Sequence, residues 1–110
     1  MVSLLYMVEA VVRVAQGFFD DQMIDRVIAG LEESRGTLEP ALKALHGILH
    51  FYAAVDRKSN SMVNISVWSS LEDAKQMDKL PEMLALRKVF EALGVRFEPN
   101  RNYSTLWNLS

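Results

Sequence analysis

The stretch ILHFYAAVDRKSNSMVNISVW, residues 48–68, decides the fold. Residues 48–56 and 62–68 are rich in valine, isoleucine and aromatic side chains, a composition that favours two β-strands. The polar residues 57–61 between them leave room only for a tight connection. The sequence therefore predicts a β-hairpin in the middle of the chain.

Neither face of this hairpin carries the charges of an ordinary surface strand. Because successive residues of a strand point to opposite sides, one face of the second strand holds Val63, Ile65 and Val67. The other face holds Asn64, Ser66 and Trp68. Strands that lie half in water alternate apolar with charged residues, so we expect both faces of this hairpin to be covered.

The pairing of the two strands follows from the position of the turn. A turn centred on residues 59–60 would pair Val55 with Asn64 and Phe51 with Trp68. That register places Leu49, Phe51, Ala53 and Val55 on the Asn64 face. It places His50, Tyr52 and Ala54 on the Val63 face.

The chain before the hairpin supplies one strand and a helical region. Residues 4–14 are apolar and free of glycine and proline, which predicts a strand that ends before Gly17. Apolar residues then recur at helical spacing over residues 23–31. Gly36 predicts a break or kink, followed by a second helical stretch that Gly47 ends.

The chain after the hairpin repeats this order in reverse. Ser69 and Ser70 each have an acidic residue three positions later, which is the spacing of a capping box at a helix start. Pro81 indicates the first turn of another helix, and Gly94 a helix end. After an extended linker, residues 103–109 are expected to form the last strand.

The predicted order is β-α-β-β-α-β within a single domain of residues 1–110. This indicates an α+β fold of the ferredoxin-like, split βαβ type, with a four-stranded antiparallel sheet and helices on one face. Helices can cover one face of such a sheet, and the other face is also apolar. Burying three valine-sized side chains is worth roughly 5–9 kcal/mol.

We therefore expect a homodimer in which a partner's sheet covers the open face. The expected interface residues are His50, Tyr52, Val63, Ile65 and Val67. The alternative is that a central strand is simply richer in valine than average.

Composition excludes several functions. The chain has 12 basic and 14 acidic side chains, a formal charge of −2, and no basic run, so we expect neither nucleic acid nor a membrane as partner. It has no cysteine, which excludes disulfides and thiol chemistry and suits a cytoplasmic protein. No apolar stretch reaches membrane-spanning length. Met7 is a second candidate for the natural start.

The pattern GILHFYAAVD at residues 47–56, a polar turn, and VNISVWSSLEDA at residues 63–74 resembles the antibiotic-biosynthesis monooxygenase-like group of dimeric α+β barrels. The resemblance implies a homodimer whose two sheets form a barrel, with a pocket between each sheet and its helices. The group includes cofactor-free oxygenases that act on polycyclic phenols, haem-degrading enzymes, and members with no assigned activity.

Asn64 and Trp68 match the Asn-x-x-x-Trp spacing of the cofactor-free oxygenases in this group. The resemblance implies that the Asn64 amide and the Trp68 indole N–H bind a substrate oxygen and stabilise its developing negative charge as catalytic residues, without cofactor or metal. The expected pocket residues for a small aromatic ligand are Phe51, Ser66, Met83 and Phe90. Both residues of the motif also fit a purely structural role, as a core tryptophan and a buried amide.

Two features of the group are missing from the sequence. The tyrosine that the oxygenases place early in the next helix has no counterpart near Ala74. Residues 71–93 contain no histidine, so haem ligation of the family type is not expected. His46 and His50 are the only histidines and are not expected to bind metal, because Gly47 interrupts the helical spacing between them.

Two functions from different classes therefore remain. One is a small-molecule enzyme of the cofactor-free oxygenase kind with an aromatic substrate. The other is a non-catalytic dimeric barrel that binds an apolar ligand or has a structural or regulatory role. A cavity of roughly 300 Å³ or more that includes the Asn64 amide would favour the enzyme.

Overall fold

A computed structural model describes residues 10–109. The strands are β1 (Val11–Phe18), β2 (Ile48–Asp56), β3 (Ser61–Trp68), β4 (Arg96–Phe97) and β5 (Arg101–Ser104). The helices are α1 (Ile24–Lys43), α2 (Leu71–Ala74) and α3 (Pro81–Ala92). Two 3₁₀ segments, Asp21–Met23 and Lys75–Lys79, precede α1 and follow α2.

The strands form one antiparallel sheet in the order β2-β3-β1-β4, and β5 also pairs with β1. Because β4 and β5 both pair with β1, they together take the place of the single fourth strand of a ferredoxin-like fold. This confirms the predicted α+β, ferredoxin-like architecture. The sheet of this chain is open and does not close into a barrel.

The first strand extends further than predicted. β1 runs through Gly17 to Phe18, and residues 4–9 of the predicted strand lie outside the described residues. A Cβ on Gly17 would come within 2.6 Å of the Val95 side chain and 2.9 Å of Phe97. Gly17 therefore permits close packing of the last strand segment, and its interpretation as a break was wrong.

The helical region before the hairpin is one helix of 20 residues, not two. α1 passes through Gly36 without interruption, because its apolar stripe continues on the same side. The buried residues of that stripe are Val27, Leu31, Leu38 and Leu42. The chain then turns at Gly47, whose φ of +76° favours glycine.

The hairpin forms as predicted, but its register differs by two residues. Val55 pairs with Met62 and Phe51 with Ser66, whereas Asn64 and Trp68 were expected opposite them. The turn includes Asn60 at a φ of +52°, and the register shifts between Ile48 and His50. Because side chains alternate with a period of two, the slip leaves the assigned faces of residues 50–55 intact. Leu49 lies at the irregularity without a paired residue, and Ile48 is opposite Trp68.

The helices after the hairpin begin where the sequence predicts, and the structure shows which of the two serines caps the first helix. The Ser70 side chain accepts a hydrogen bond from the Asp73 backbone N–H, so Ser70 is the N-cap of α2. α3 begins at Pro81, and Gly94 follows its end with a φ of +89°. The last strand was misplaced, because β5 ends at Ser104 and residues 105–109 form no strand.

The helices pack against one face of the sheet only. Met62, Ser66 and Trp68 on that face are 1%, 2% and 0% exposed. Two clusters of buried side chains lie there, one around Trp68 and α2, the other around Phe90 of α3. The opposite face carries half-exposed valine and isoleucine side chains, and Tyr52 on it is 57% exposed.

Candidate functional site

A cavity of about 270 Å³ lies between the sheet and α3. Its floor comes from β1 and β3, its wall from the Lys75–Lys79 segment and α3, and its far end from the chain around β4. The lining residues are Arg13, Ala15, Met62, Asn64, Ser66, Met77, Asp78, Met83, Leu84, Leu86, Arg87, Phe90, Phe97 and Asn100. Most of the wall is methionine, leucine and phenylalanine. Arg13, Asn64 and Ser66 supply the polar groups of the floor, and Asp78, Arg87 and Asn100 those of the wall and far end.

The strand register explains why these polar groups lie together. Arg13 of β1 is opposite Ser66 of β3, and Ala15 is opposite Asn64. All four side chains therefore point to the helix side of the sheet. Ala15 is small, which leaves space above the sheet next to Asn64.

Asn64 lines this cavity as the sequence predicted for a substrate-binding amide. Its Oδ1 atom is buried and has no hydrogen-bond partner among the described residues. Buried side-chain oxygens in folded proteins are almost always hydrogen-bonded, so an unpartnered one beside a cavity suits a ligand that supplies a donor.

Trp68 lies apart from Asn64, in the core around α2, and does not line the cavity. Its Nε1–H donates a hydrogen bond of 2.8 Å to the Ser66 hydroxyl oxygen. Ser66 does line the cavity. The indole of Trp68 therefore has no direct access to a ligand there, and Ser66 lies between the two.

The other predicted pocket residues divide in the same way. Ser66, Met83 and Phe90 line the cavity. Phe51 lines a different groove, between α1 and the edge strand β2. Phe51 lies opposite Ser66 in the sheet, but β2 is one strand further from α3.

The groove along α1 and β2 is larger, about 700 Å³, and three of its four Glu, Lys and Arg side chains pair with one another. Glu39 pairs with Arg35 at 2.7 Å and with Lys43 at 3.1 Å, and these three residues supply most of its charge. The ion pairs hold the pKa of Glu39 below its ordinary value and that of Arg35 above it. The smaller cavity is the better candidate site because it contains a polar atom without a partner.

Sequence reasoning missed Arg13 and Asp78, which meet at this cavity. The Arg13 side chain is only 6% exposed and donates from Nη2 to Asp78 Oδ1 at 2.5 Å. Its Nη1 lies 3.4 Å from Asn102 Oδ1. A single charged residue among the valines of VVRVA was the signal in the sequence that pointed to a buried charge.

No group of three or more metal-binding side chains occurs within residues 10–109. His46 pairs instead with Asp73, whose Oδ1 is 2.9 Å from the ring Nδ1. The hydrogen bond and the charge of Asp73 raise the pKa of His46, and the same bond lowers the pKa of Asp73. In the described part of the chain, no helix has the length and apolar character needed to cross a membrane.

The residues expected at a dimer interface share the face away from the helices. Strand pairing places His50 opposite Val67, Tyr52 opposite Ile65, and Ala54 opposite Val63. The rings of His50 and Tyr52 stack with centroids 6.2 Å apart. The expected interface side chains therefore form one continuous surface.

Solved structures share this arrangement of elements. A conserved protein from Methanosarcina mazei superposes with a TM-score of 0.70 at 11% identity, covering 92% of this chain and 97% of that one. A protein provisionally named antibiotic biosynthesis monooxygenase from Deinococcus radiodurans gives 0.69 at 14% identity, covering 91% and 96%. SnoaB, a cofactor-independent oxygenase from Streptomyces nogalater, gives 0.65 at 19% identity, covering 92% and 97%.

The chain has the fold of the antibiotic biosynthesis monooxygenases. The agreement extends over nearly the whole length of both partners in each comparison, so the antibiotic biosynthesis monooxygenase fold accounts for the entire described chain. No protein-family model and no curated protein matches the sequence. At these identities the likeness concerns the fold, and the reaction has to be argued from the cavity.

Proposed function

We propose that the protein is a cofactor-independent monooxygenase that acts on a small phenolic substrate in the cavity between the sheet and α3. The observation that carries the proposal is the buried, unpartnered Oδ1 of Asn64 beside a cavity whose walls are largely methionine, leucine and phenylalanine. The similarity in fold to a cofactor-independent oxygenase supports the same reaction class.

The reaction requires only the substrate and dioxygen. A phenol with a free ring position opposite its oxygen takes up O₂ at that carbon, and the resulting hydroperoxide loses water to give a quinone. The substrate loses four electrons and two hydrogens; one oxygen atom ends in the quinone and the other in water. The protein has to position the ring and stabilise negative charge on oxygen.

Two polar side chains on the floor of the cavity suit this role. The Asn64 amide offers an acceptor for the phenol O–H and N–H donors for an oxygen that becomes negative. Trp68 acts as a positioning residue, because its N–H occupies the Ser66 oxygen and leaves the Ser66 hydroxyl hydrogen to donate into the cavity. Asn64 then contacts the substrate directly, and Trp68 acts through Ser66.

The cavity volume limits the size of the substrate. An apolar cavity of about 150 Å³ accommodates benzene. By that measure the volume of about 270 Å³ suits one or two fused rings and is too small for a tetracyclic phenol.

The test is oxygen consumption and quinone absorbance during aerobic incubation with phenols and naphthols that are unsubstituted opposite the hydroxyl group and, as larger substrates, anthrones. We expect the naphthols to react fastest and Asn64→Ala to lower kcat/KM by about a hundredfold. Ser66→Ala and Trp68→Phe should each lower it, whereas Ser34→Ala, which removes a buried serine hydroxyl on α1, should not. Equal rates for the wild type and the Asn64→Ala variant would exclude the proposed mechanism.

A second candidate function is binding without catalysis. It is favoured by two observations. The Trp68 N–H is already engaged and lies outside the cavity, and the cavity volume of about 270 Å³ is slightly below the roughly 300 Å³ expected for the enzyme. In that case small aromatic compounds bind with micromolar affinity, but no oxygen is consumed above the uncatalysed rate.

We further propose that the protein is a homodimer through the face of the sheet that lacks helices. Tyr52 and Tyr103 on this sheet are 57% and 48% exposed, and Val63, Ile65 and Val67 lie between the strands that carry them. A patch of this kind is unusual on a monomer. Leu106, Trp107 and Leu109 are further exposed apolar side chains, at 81%, 80% and 93%.

A further inference from the structure

Arg13 is the one charged residue among residues 10–109 whose side chain is buried. It projects from the middle of the sheet into the floor of the cavity, next to Ser66. Burying a guanidinium is costly unless hydrogen bonds compensate for the water it loses. The position of Arg13 therefore calls for an explanation beyond packing.

The protein supplies few acceptors for this group. Within the described residues, Asp78 accepts one hydrogen bond at 2.5 Å, and the contact to Asn102 is long at 3.4 Å. A guanidinium has five N–H donors in a planar fork that matches an anionic oxygen pair. Arg13 consequently keeps donors for a further acceptor.

Its partner Asp78 lies at the solvent side of the cavity. The Asp78 side chain is 55% exposed and belongs to the short Lys75–Lys79 segment. A half-exposed carboxylate gains little from an ion pair and loses little when it turns into water. Asp78 is therefore well placed to be replaced at Arg13 by another anion.

The remaining surroundings favour a flat anionic ligand. Two arginines and one aspartate line the cavity, an excess of one positive charge. The second arginine, Arg87, lies 4.8 Å above the ring of Phe97, and its Nε is 3.6 Å from Glu91. Met83 and Phe90 supply apolar walls.

We propose that Arg13 anchors the negatively charged oxygen of a planar, apolar ligand, and that Asp78 occupies this anchor only when the ligand is absent. The inference rests on the proposed function in one respect, that the cavity between the sheet and α3 is the ligand site. The ligand oxygen belongs to a phenolate or a carboxylate on one or two fused rings. Arg13 thus selects an ionised substrate. Because an ionised oxygen has no hydrogen to donate, Asn64 Oδ1 on the adjacent strand accepts from a separate N–H or O–H group of the same ligand.

Calorimetric titration of the intact protein with two-ring probes at pH 8 tests this. The anions are 4-nitro-1-naphtholate and 2-naphthoate, and their neutral counterparts are the methyl ether and the amide. We expect the wild type to bind at least one anion about tenfold or more tighter than its neutral counterpart. The anion that is preferred identifies the phenolate or the carboxylate as the ligand group.

Two variants distinguish a binding role of Arg13 from a structural role by the direction in which the affinity for the anion changes. Arg13→Met should remove the preference for the anion and leave the neutral probe within about twofold, as expected when one charge-assisted contact is lost. Asp78→Asn removes the competitor and should tighten anion binding by about threefold or more. If the pair only ties the Lys75–Lys79 segment to the sheet, Asp78→Asn weakens or does not change anion binding.

Three results overturn the proposal: equal affinity for anion and neutral probe in the wild type, no binding of either anion, or no gain in Asp78→Asn. Because Asp78 is half exposed, its variant keeps the test valid if Arg13→Met does not fold. The outcome is independent of turnover. Anion preference without oxygen consumption supports Arg13 as the anchor and excludes the oxygenase function. Oxygen consumption that Arg13→Met leaves unchanged supports the oxygenase function and excludes Arg13 as the anchor.

Discussion

At the junction of α1 and β2, the His46 and Asp73 side chains link the chain to α2, next to two hydrogen bonds between the Gln76 side chain and the His46 backbone. His46 Nδ1 is 2.9 Å from Asp73 Oδ1, and the Asp73 backbone N–H also donates to the Ser70 cap of α2. The bond to Asp73 raises the pKa of His46, and the bond to His46 lowers the pKa of Asp73. The pair therefore links stability to pH.

The sign of this dependence follows from the two shifts. Since the pKa of His46 is raised on folding, its contribution is complete below about 6.5 and is lost as the pH rises through the folded value. Since the pKa of Asp73 is lowered, its contribution is present above about 3.9 and is lost on acidification through the folded value. We expect His46→Asn to destabilise more at pH 5.5 than at pH 8, measured by urea unfolding.

The double variant with Asp73→Asn provides the control. Once His46 is replaced, removing the carboxylate should add no further difference between pH 5.5 and pH 8, because the interaction is already gone. Equal destabilisation by His46→Asn at both pH values would show that the pair contributes nothing through charge.

The candidate site illustrates what single residues reveal. Asn64, Ser66, Met83 and Phe90 line one cavity because strand alternation and helical spacing fix which side of an element a residue faces. Arg13 was missed because burial of a charge depends on partners from distant parts of the chain. Its partners Asp78 and Asn102 are 65 and 89 positions away, and no local pattern signals such contacts.

At the scale of elements, α1 shows that packing can keep a helix continuous through a glycine. Gly36 lies in the middle of this helix and is exposed, and a Cβ added there would meet no neighbouring atom within 4 Å. The buried stripe on both sides of it keeps the helix continuous through a residue that weakens it. We expect Gly36→Ala to stabilise the protein by about 0.5–1 kcal/mol, because alanine costs less entropy in a helix.

Gly94 provides the matched control for this substitution. A Cβ there would also meet no neighbouring atom within 4 Å, but the φ of Gly94 is +89°. Gly94→Ala should therefore destabilise by about 1 kcal/mol or more through backbone strain alone. Thermal and urea unfolding of both variants measure the two effects, and a loss of stability in Gly36→Ala would contradict this account of α1.

In the hairpin, by contrast, the predicted register was wrong but the predicted faces of most residues were right. The exact turn could not be inferred from RKSNS, because several positions tolerate the backbone of Asn60. The register slipped by two residues, and the faces survived since the period is also two. An error of one residue would have assigned the β2 side chains to the wrong face relative to Asn64.

At the scale of the whole molecule, the uncovered face of the sheet predicts an interface with a second copy of the chain. Ile65 lies at the centre of that face, opposite Tyr52 on one side and Val14 on the other. If a second copy packs here, a lysine at this position buries a charge in an apolar interface. We expect wild-type protein to sediment as a dimer at micromolar concentration and Ile65→Lys to sediment as a folded monomer.

Thr37→Lys provides the control, because it adds the same charge at an exposed position of α1. That variant should remain dimeric, and circular dichroism should show both variants folded. The cavity lies on the other side of the sheet from Ile65, so ligand binding in monomeric Ile65→Lys reports whether each cavity works alone. A wild type that stays monomeric up to about 100 μM, weaker than a specific dimer requires, would refute the homodimer.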